Sequence, residues 1–429
     1  MADTAGIATA SGASTRPDGA IAADEVCDAI RHAGIATPDV TFVFASPHHA
    51  DVLGGLCDRI ATGLGTRHVL GCTAGAVLGA TGDMEGAPGL SVLACSLPKV
   101  RVVPFTSDAL IAPDASPEAA AAAASETVGA ADDLRAVVMF ADPYSVPLVR
   151  LLPALNAGRV ECETPEGRKR MGTIIGGMAS GAARPGGNAI VLDGKVSRHG
   201  AAGLSLLGNL RVDTIVSQGC RPVGPTMVVT RARSNLVLEL AGRPALDVVR
   251  ETIGELPTAD RNLLAGGLFL GRVVDEYKDR FGRGDFLIRH IVGAEESSGA
   301  IAVADLMRVG QTVQLHLRDR VTAKEDLELL LDAQRLHDPP AGALLLTCNG
   351  RGKAFFNEQH ADVSAVQRAF RAGDSGAARA KAGRTVGPVE PSVPMAGFFA
   401  AGEIGPVGDD SYLHGHTASL ALLRSPDHE

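Results

Sequence analysis

Met395–Leu423, MAGFFAAGEIGPVGDDSYLHGHTASLALL, decides the fold when it is taken together with Leu344–Lys353, LLLTCNGRGK. Each opens as an apolar run of strand length and breaks off in glycine and polar residues. A run without polar alternation is the pattern of a strand covered on both faces. Strands that stop in GRGK and GEIGP carry Asn349, Gly350, Arg351 and Gly352, and Gly402, Glu403 and Gly405, to the rim of a sheet. His414 and His416 follow a short step behind. Backbone amides freed by glycine, beside charged side chains, suit a small anionic or zwitterionic ligand. One such loop is an ordinary tight turn, but two on apolar strands point to a binding site.

Outward from these stretches, a strand–helix–strand pattern recurs. Thr41–Ala45, the helix begun by SPHHADVLGGL and Arg67–Cys72 form one copy, ending in CTAGA. Ala136–Phe140, PLVRLLPAL and Gly172–Gly177 form a second, ending in MASG. The match of VLGCTAGAV to IIGGMASGA makes an internal duplication the simplest account. Gly89–Ser96 and Val100–Phe105 read as an antiparallel pair. Leu268–Leu270, a helix over Arg272–Arg280 and Asp285–Val292 give a third copy. Ala343–Cys348, Val363–Ala372 and Gly397–Ala401 give a fourth. Ser107–Leu134 is alanine-rich and reads as a surface helix, and Gly373–Pro394 as a long loop.

The expected fold is α/β of the mixed α+β kind, with two pseudo-repeated modules of mixed sheets and helices layered on them. Residues 1–22 are expected to be a disordered leader, 23–224 the first module and 225–429 the second, each packed separately.

Composition narrows the function. The 429 residues are 45% hydrophobic but only 3% aromatic, with no Trp. The net charge of −9 and a pI near 5.8 argue against a nucleic-acid backbone, and scarce aromatics argue against base stacking. Seven scattered cysteines without a CxxC fit a reducing compartment. No signal peptide and no apolar stretch of membrane-spanning length is evident, so a cytoplasmic protein is expected.

Several catalytic motifs fail on inspection. TCNGRGKA lacks the first glycine of a phosphate loop, where Thr347 stands, and has Ala354 after the lysine. GMASG is not the GxSxG of a nucleophile elbow, and QGCRP around Cys220 has no histidine partner in view. His414 and His416 share a face if they lie on a strand, and Glu403 is a conceivable third ligand. Nothing fixes a ligand count, so no metal site is assigned. Arg318 inside LHLRD reads as an ion-pair member, whereas Arg289 inside FLIRHIV is either that or a ligand clamp.

CNGRG, GFFAAGEIGP and HGHTASLALL resemble the C-terminal module of the FIST family (F-box and intracellular signal transduction). SQGCRPVGP, GDFLIRHIVG and VGQTVQLHLRD fit the same family, as do IIGGMASG and GCTAGA in its N-terminal module. The resemblance spans roughly Thr41 to Leu423. It implies a stand-alone sensory module that binds a small polar metabolite such as an amino acid and signals through a separate protein. Some FIST-like proteins resemble haem-based sensors, which makes His48 and His49 candidate haem ligands. The chain has no CxxCH and few aromatics to pack a porphyrin, so no cofactor is expected and haem is kept as the alternative. The site expected from all this places Asn349, Arg351, Glu403 and His416 in one pocket. Arg351 would hold a carboxylate and Glu403 an ammonium or hydroxyl. The competing arrangement is a structural Arg351–Glu403 ion pair. A hydrolase-like enzyme using Glu403 with His414 or His416 is the remaining alternative.

Overall fold

The fully apolar runs fold as strands buried on both faces, and the central ones lie in parallel pairs. The computed structural model describes residues 6–107, 115–163, 169–371 and 391–426. Two compact units form. One comprises Met1–Val216, Glu328–Leu413 and Thr417–Glu429, and the other Ser217–Leu327 with His414–His416.

In chain order the first segment is β1 (Ala8–Ser14), α1 (Gly19–His32), β2 (Val40–Ala45), α2 (Leu53–Leu64), β3 (His68–Thr73), the hairpin β4 (Ala76–Gly79) and β5 (Gly82–Glu85), then β6 (Leu90–Ser96). The second is β7 (Val100–Thr106), α3 (Pro117–Thr127), β8 (Leu134–Ala141), α4 (Leu148–Ala157), a small ribbon of β9 (Glu161–Glu163) and β10 (Lys169–Met171), β11 (Thr173–Met178), the hairpin β12 (Ile190–Leu192) and β13 (Lys195–Ser197), then β14 (Ala201–Gly208). The third opens with β15 (Arg211–Gln218) and is interrupted in sequence by β16 (Cys220–Arg233), β17 (Leu236–Leu240), β18 (Arg243–Pro244), α5 (Ala245–Glu255), α6 (Thr258–Leu263), β19 (Leu268–Val273), β20 (Phe286–Glu295), β21 (Ala300–Val303) and β22 (Thr312–Arg318). It resumes with α7 (Arg320–Gln334), β23 (Gly342–Cys348), α8 (Lys353–Phe356), α9 (Ala361–Ala369), β24 (Met395–Ala400), the hairpin β25 (Glu403–Val407) and β26 (Asp410–His414), then β27 (Thr417–Arg424).

The first unit contains three six-stranded sheets, ordered β1-β6-β2-β3-β12-β13, β7-β14-β8-β11-β25-β26 and β15-β27-β23-β24-β4-β5. At the centre of each is a parallel pair: β2 with β3, β8 with β11, β23 with β24. Each segment then lends its hairpin to a different segment's sheet. β4 pairs with β24 (Phe398 opposite Val77), β12 with β3 (Ile190 opposite Cys72), and β25 with β11 (Ile404 opposite Gly176). After the hairpin the chain returns as β6, β14 or β27 to the sheet it left.

Helices α1 and α2 cover one face of the first sheet through Val26, Ile30, Leu53, Leu56, Ile60 and Leu64. Helices α3 and α4 cover the second sheet in the same way. The inner faces of all three sheets share one core, where Phe44, Phe140 and Phe398 meet. Their ring centroids lie 5.3, 5.1 and 5.4 Å apart, at offset and edge-on angles that favour aromatic pairs. Gly177 is needed here, because a Cβ on it would press against the Phe398 ring at 3.1 Å.

The second unit is an antiparallel barrel. β16, β22, β19, β20, β21 and β17 pair in that order, and β16 closes the ring onto β17. Register shifts at Val223/Met227 and Ile291/Gly293 bend β16 and β20, as closure of so small a barrel requires. Val223, Leu240, Leu270, Leu315 and Leu317 fill the interior together with Leu246 and Val249 from α5.

The mixed α+β fold class, with helices layered on mixed sheets, is the one expected. Four expectations are corrected. Ala8–Ser14 is no disordered leader but an edge strand in register with β6, while residues 1–5 lie outside the described residues. β6 and β7 do not pair with each other; they belong to different sheets. The helix expected over Arg272–Arg280 does not form: Arg272 and Val273 end β19, 274–280 is bend and turn, and β19 and β20 form an antiparallel pair with only a 3-10 turn (Arg283–Asp285) between them. Finally, packing does not divide at Gly224, because the β4–β24 and β11–β25 pairings join strands from both sides of that point. The long loop expected over Gly373–Pro394 falls mostly outside the described residues. Among those described, no helix is long and apolar enough to cross a membrane.

Truncating Phe398 removes one of three rings from a fully buried contact. We expect Phe398→Ala to cost about 3–5 kcal/mol in urea unfolding of the full chain. Val292→Ala, 61% exposed on the barrel, should change stability by less than about 0.5 kcal/mol.

Candidate functional site

Glu403 opens β25 and lies opposite Gly177 on β11. Its side chain is fully buried. Oε2 accepts hydrogen bonds from the Thr417 backbone N–H at 3.2 Å and the Thr417 hydroxyl at 2.8 Å. Oε1 has no hydrogen-bond partner among the described residues. Burial drives the carboxyl pKa up to about 8, against the opposing pull of the Thr417 hydrogen bonds and the Arg351 charge. At neutral pH this is a carboxylic acid that keeps its proton, able to donate it or to give it up to a base.

Arg351 is also buried, at the end of a short 3-10 turn (Asn349–Arg351) that follows β23. Its Nε and Nη2 donate to the two oxygens of Asp362 on α9, each at 2.9 Å, and the Thr347 hydroxyl donates to Asp362 Oδ2 at 2.7 Å. The guanidinium also lies over the Phe356 ring, 5.2 Å from its centroid. Burial works against the charge, and the Asp362 carboxylate outweighs it, so the pKa of Arg351 rises. The fork–fork bond expected toward a ligand carboxylate is thus made to Asp362. The expected alternative, an Arg351–Glu403 pair, has the wrong carboxylate: Glu403 contributes charge to Arg351, while Asp362 receives its bidentate bonds.

The glycines divide by role. Gly352 and Gly405 are required by packing. A Cβ on Gly352 would run into the Glu85 carboxylate, and one on Gly405 would lie 2.6 Å from Val216 and 2.7 Å from Ser419. The carbonyl of Gly402 accepts from the Met178 N–H, tying the β24–β25 turn to the end of β11. The turn after β3 meets the same end, where Gly75 N–H donates to Ser180 Oγ at 2.9 Å and Ser180 N–H to the Thr73 carbonyl at 3.2 Å. Asn349 is exposed and Gly350 half-buried at the head of the 3-10 turn.

His414, His416 and Arg289 belong to the barrel unit. Arg289 Nε donates to Asp305 at 2.9 Å, and Arg272 approaches the same carboxylate at 3.5 Å. Arg289 is thus a member of a strand ion pair. Its burial depresses the pKa, offset in part by Asp305. His416 has a left-handed backbone (φ 64°) and lies against His290 and Phe269. Cys220 is the buried first residue of β16, opposite Arg318. Among the described residues, no group of three or more His, Cys, Asp or Glu side chains is placed to hold a metal ion.

Sequence reasoning missed Thr417, Asp362 and Thr347. Thr417 sits directly after His416, inside a stretch already singled out, and a hydroxyl donor near a buried strand acid was the signal to follow.

The FIST N domain model matches residues 39–243 and the FIST C domain model residues 245–406. The chain belongs to the FIST family. It is 34% identical over 421 residues to an uncharacterized protein of Mycobacterium tuberculosis strain H37Rv, covering 96% of this chain and 98% of that one. An uncharacterized protein of Mycobacterium bovis is likewise 34% identical over 422 residues, covering 96% and 97%. FIST domains are sensory domains of signal transduction. In this FIST chain the matched segments take in the Arg351–Asp362 pair and Glu403, while Thr417 lies beyond the second.

Two outcomes follow from the site's electrostatics. The pKa of Glu403 is raised from 4.5 to about 8, so the folded state holds a proton that the unfolded chain releases. Stability should therefore be unaffected by this group below about pH 4.5, fall by up to about 1.4 kcal/mol per pH unit toward pH 8, and level off above it. Glu403→Gln should remove that slope in thermal melts across pH 5–8. Asp362→Asn leaves the buried Arg351 charge without its counter-ion and should cost about 3–5 kcal/mol in chemical denaturation.

Proposed function

We propose that this FIST chain senses a small polar metabolite of the amino-acid class, bound at Glu403, and passes the signal to a separate protein. The observation that carries this reading is the buried Glu403 carboxyl with Oε1 unpartnered among the described residues. Buried polar atoms in native proteins nearly always have partners, and an exception calls for an explanation such as a ligand. A ligand ammonium supplies both the missing hydrogen bond and a positive charge that ionises the acid. The carboxylate of the ligand is left to groups other than Arg351, whose fork is committed to Asp362. Arg351 contributes positive charge that favours the ionised form of Glu403.

This reading couples binding to a proton. Below pH 8 an ammonium ligand has to displace the Glu403 proton, so its affinity falls up to tenfold per pH unit on acidification. A neutral hydroxyl ligand carries no such dependence. A second reading, an enzyme with Glu403 as general base, rests on the same raised pKa, and turnover of a bound amine would select it.

The test is a thermal-shift screen of the full chain against amino acids and simple amines at pH 6 and pH 8, followed by calorimetry on hits. Glu403→Gln should weaken a hit roughly tenfold to over a hundredfold, the worth of a charge-assisted hydrogen bond of ~1.5–3 kcal/mol. A hit whose affinity is unchanged in Glu403→Gln overturns the assignment.

A further inference from the structure

We propose that the barrel unit carries a transition-metal site whose protein ligands are the Nε2 atoms of His290 and His416. The two nitrogens face each other at 2.9 Å. At that distance a neutral pair of imidazoles can share one proton, and a metal ion set off the line between the nitrogens could bond both in its stead. Metal–imidazole bonds are ~2.0–2.1 Å long, so two nitrogens on one ion are about 2.9 Å apart when the bonds meet at a right angle and about 3.3 Å apart in a tetrahedron. The observed separation matches the right angle. That is the cis arrangement of square-planar or octahedral Cu(II) and Ni(II), for which imidazole is a favoured ligand.

The rings are held in place before any ion arrives. Phe269 packs edge-on against both, with centroids 4.9 Å from His290 and 4.6 Å from His416. Phe269 belongs to the smaller apolar cluster on the far side of β19 from the barrel interior, so its ring is anchored by Phe286 and Ile288. His416 reaches the pair from a left-handed backbone conformation that few side-chain-bearing residues adopt, a kind of local strain that clusters at functional positions. His290 is exposed and gives an ion a path in, whereas His416 is 9% exposed. His316 is no third ligand, since Phe269 stands directly between it and His290 in the strand register. With two protein nitrogens, water completes the coordination.

The charged neighbour decides which ions fit. Arg318 on β22 lies two residues from His316 and so on the same face of the sheet as Phe269 and His290. The same cation repels ions held by charge alone, such as Mg²⁺ or Ca²⁺, and leaves those that form strong bonds to nitrogen. The open coordination positions would take a small chelating ligand, so the site extends the sensory reading without depending on Glu403.

Ni²⁺ alone, titrated into the full chain in thiol-free and chelator-free buffer, tests this by calorimetry. One equivalent should bind, and His290→Ala and His416→Ala should each weaken it tenfold or more, with His48→Ala unchanged. Because His290 is exposed, His290→Ala is expected to melt like the wild type and decides the matter if His416→Ala does not fold. Absence of Ni²⁺ binding tighter than about 100 μM, or binding that survives His290→Ala intact, overturns the proposal. The result is independent of Glu403→Gln, so it can fail or succeed apart from the metabolite site.

Discussion

The contact among Phe44, Phe140 and Phe398 is what the first unit depends on. Each ring comes from a different sheet, and each sheet is complete only when another segment's hairpin is paired to it. The chain has twelve Phe and no Trp, so three rings at one point are a large share of its aromatic packing. Elsewhere the core is Val, Leu, Ile and Ala, which fill space without fixing the orientation of one sheet against the next. The exchange of hairpins also removes a hazard: β3, β11 and β24 would otherwise present bare apolar edges, the usual starting point of aggregation. Its kinetic consequence is long-range pairing, such as Phe398 with Val77, which puts loop-closure entropy ahead of contact formation and slows folding.

Inside that framework the charges sort themselves by partner. Arg351 is answered by Asp362, and in the barrel Arg289 is answered by Asp305. Removing one member of such a pair is costly, although the intact pair contributes little net stability, because desolvation offsets the attraction. Glu403 is different in kind. It is buried with Oε1 unpartnered among the described residues, and it stays neutral because burial outweighs the Thr417 hydrogen bonds and the Arg351 charge. A fold that keeps such a group below the threshold of damage is giving up stability at one position, which is the signature expected of a functional residue.

Much of the fold was legible because buried parallel strands announce themselves. Thr41–Ala45, Ala136–Phe140 and Ala343–Cys348 read as strands and are strands to within two residues, since each carries a run of four to six consecutive apolar residues without helical spacing. The edge strand Ala8–Ser14 was not legible, since ATASGAS has no apolar pattern and is held by register to β6 and by the close approach of Gly12 to Val26. The barrel was misread for a related reason. Local alternation in LFLGRV and DFLIRHIV is the same whether the pair is parallel with a helix between or antiparallel with a loop, and Gly282 and Gly284 settle it for the loop. Of the site, Glu403 could be found from its place at the end of an apolar strand. The role of Arg351 could not, because its partner Asp362 lies eleven residues on, in a helix whose inward face no local pattern reveals.

The location of Glu403 bears on how a signal would leave it. Its backbone is in the exchanged hairpin, paired to β11 of the second sheet, while its side chain bonds Thr417, the first residue of β27 in the third. A change in its charge is therefore felt by two sheets at once. Ionisation strengthens the Thr417 hydrogen bonds, because a carboxylate accepts better than an acid, and it adds an attraction toward Arg351. Both effects draw the start of β25 toward the third sheet. The opposing constraint is the Gly177 register, which has no side chain to absorb movement and a Phe398 ring pressed against it. A ligand can shift such an arrangement only by the difference in its affinity for the two states. A single ionisation at a buried acid, with a pKa displaced from 4.5 to about 8, is of the size needed to do so.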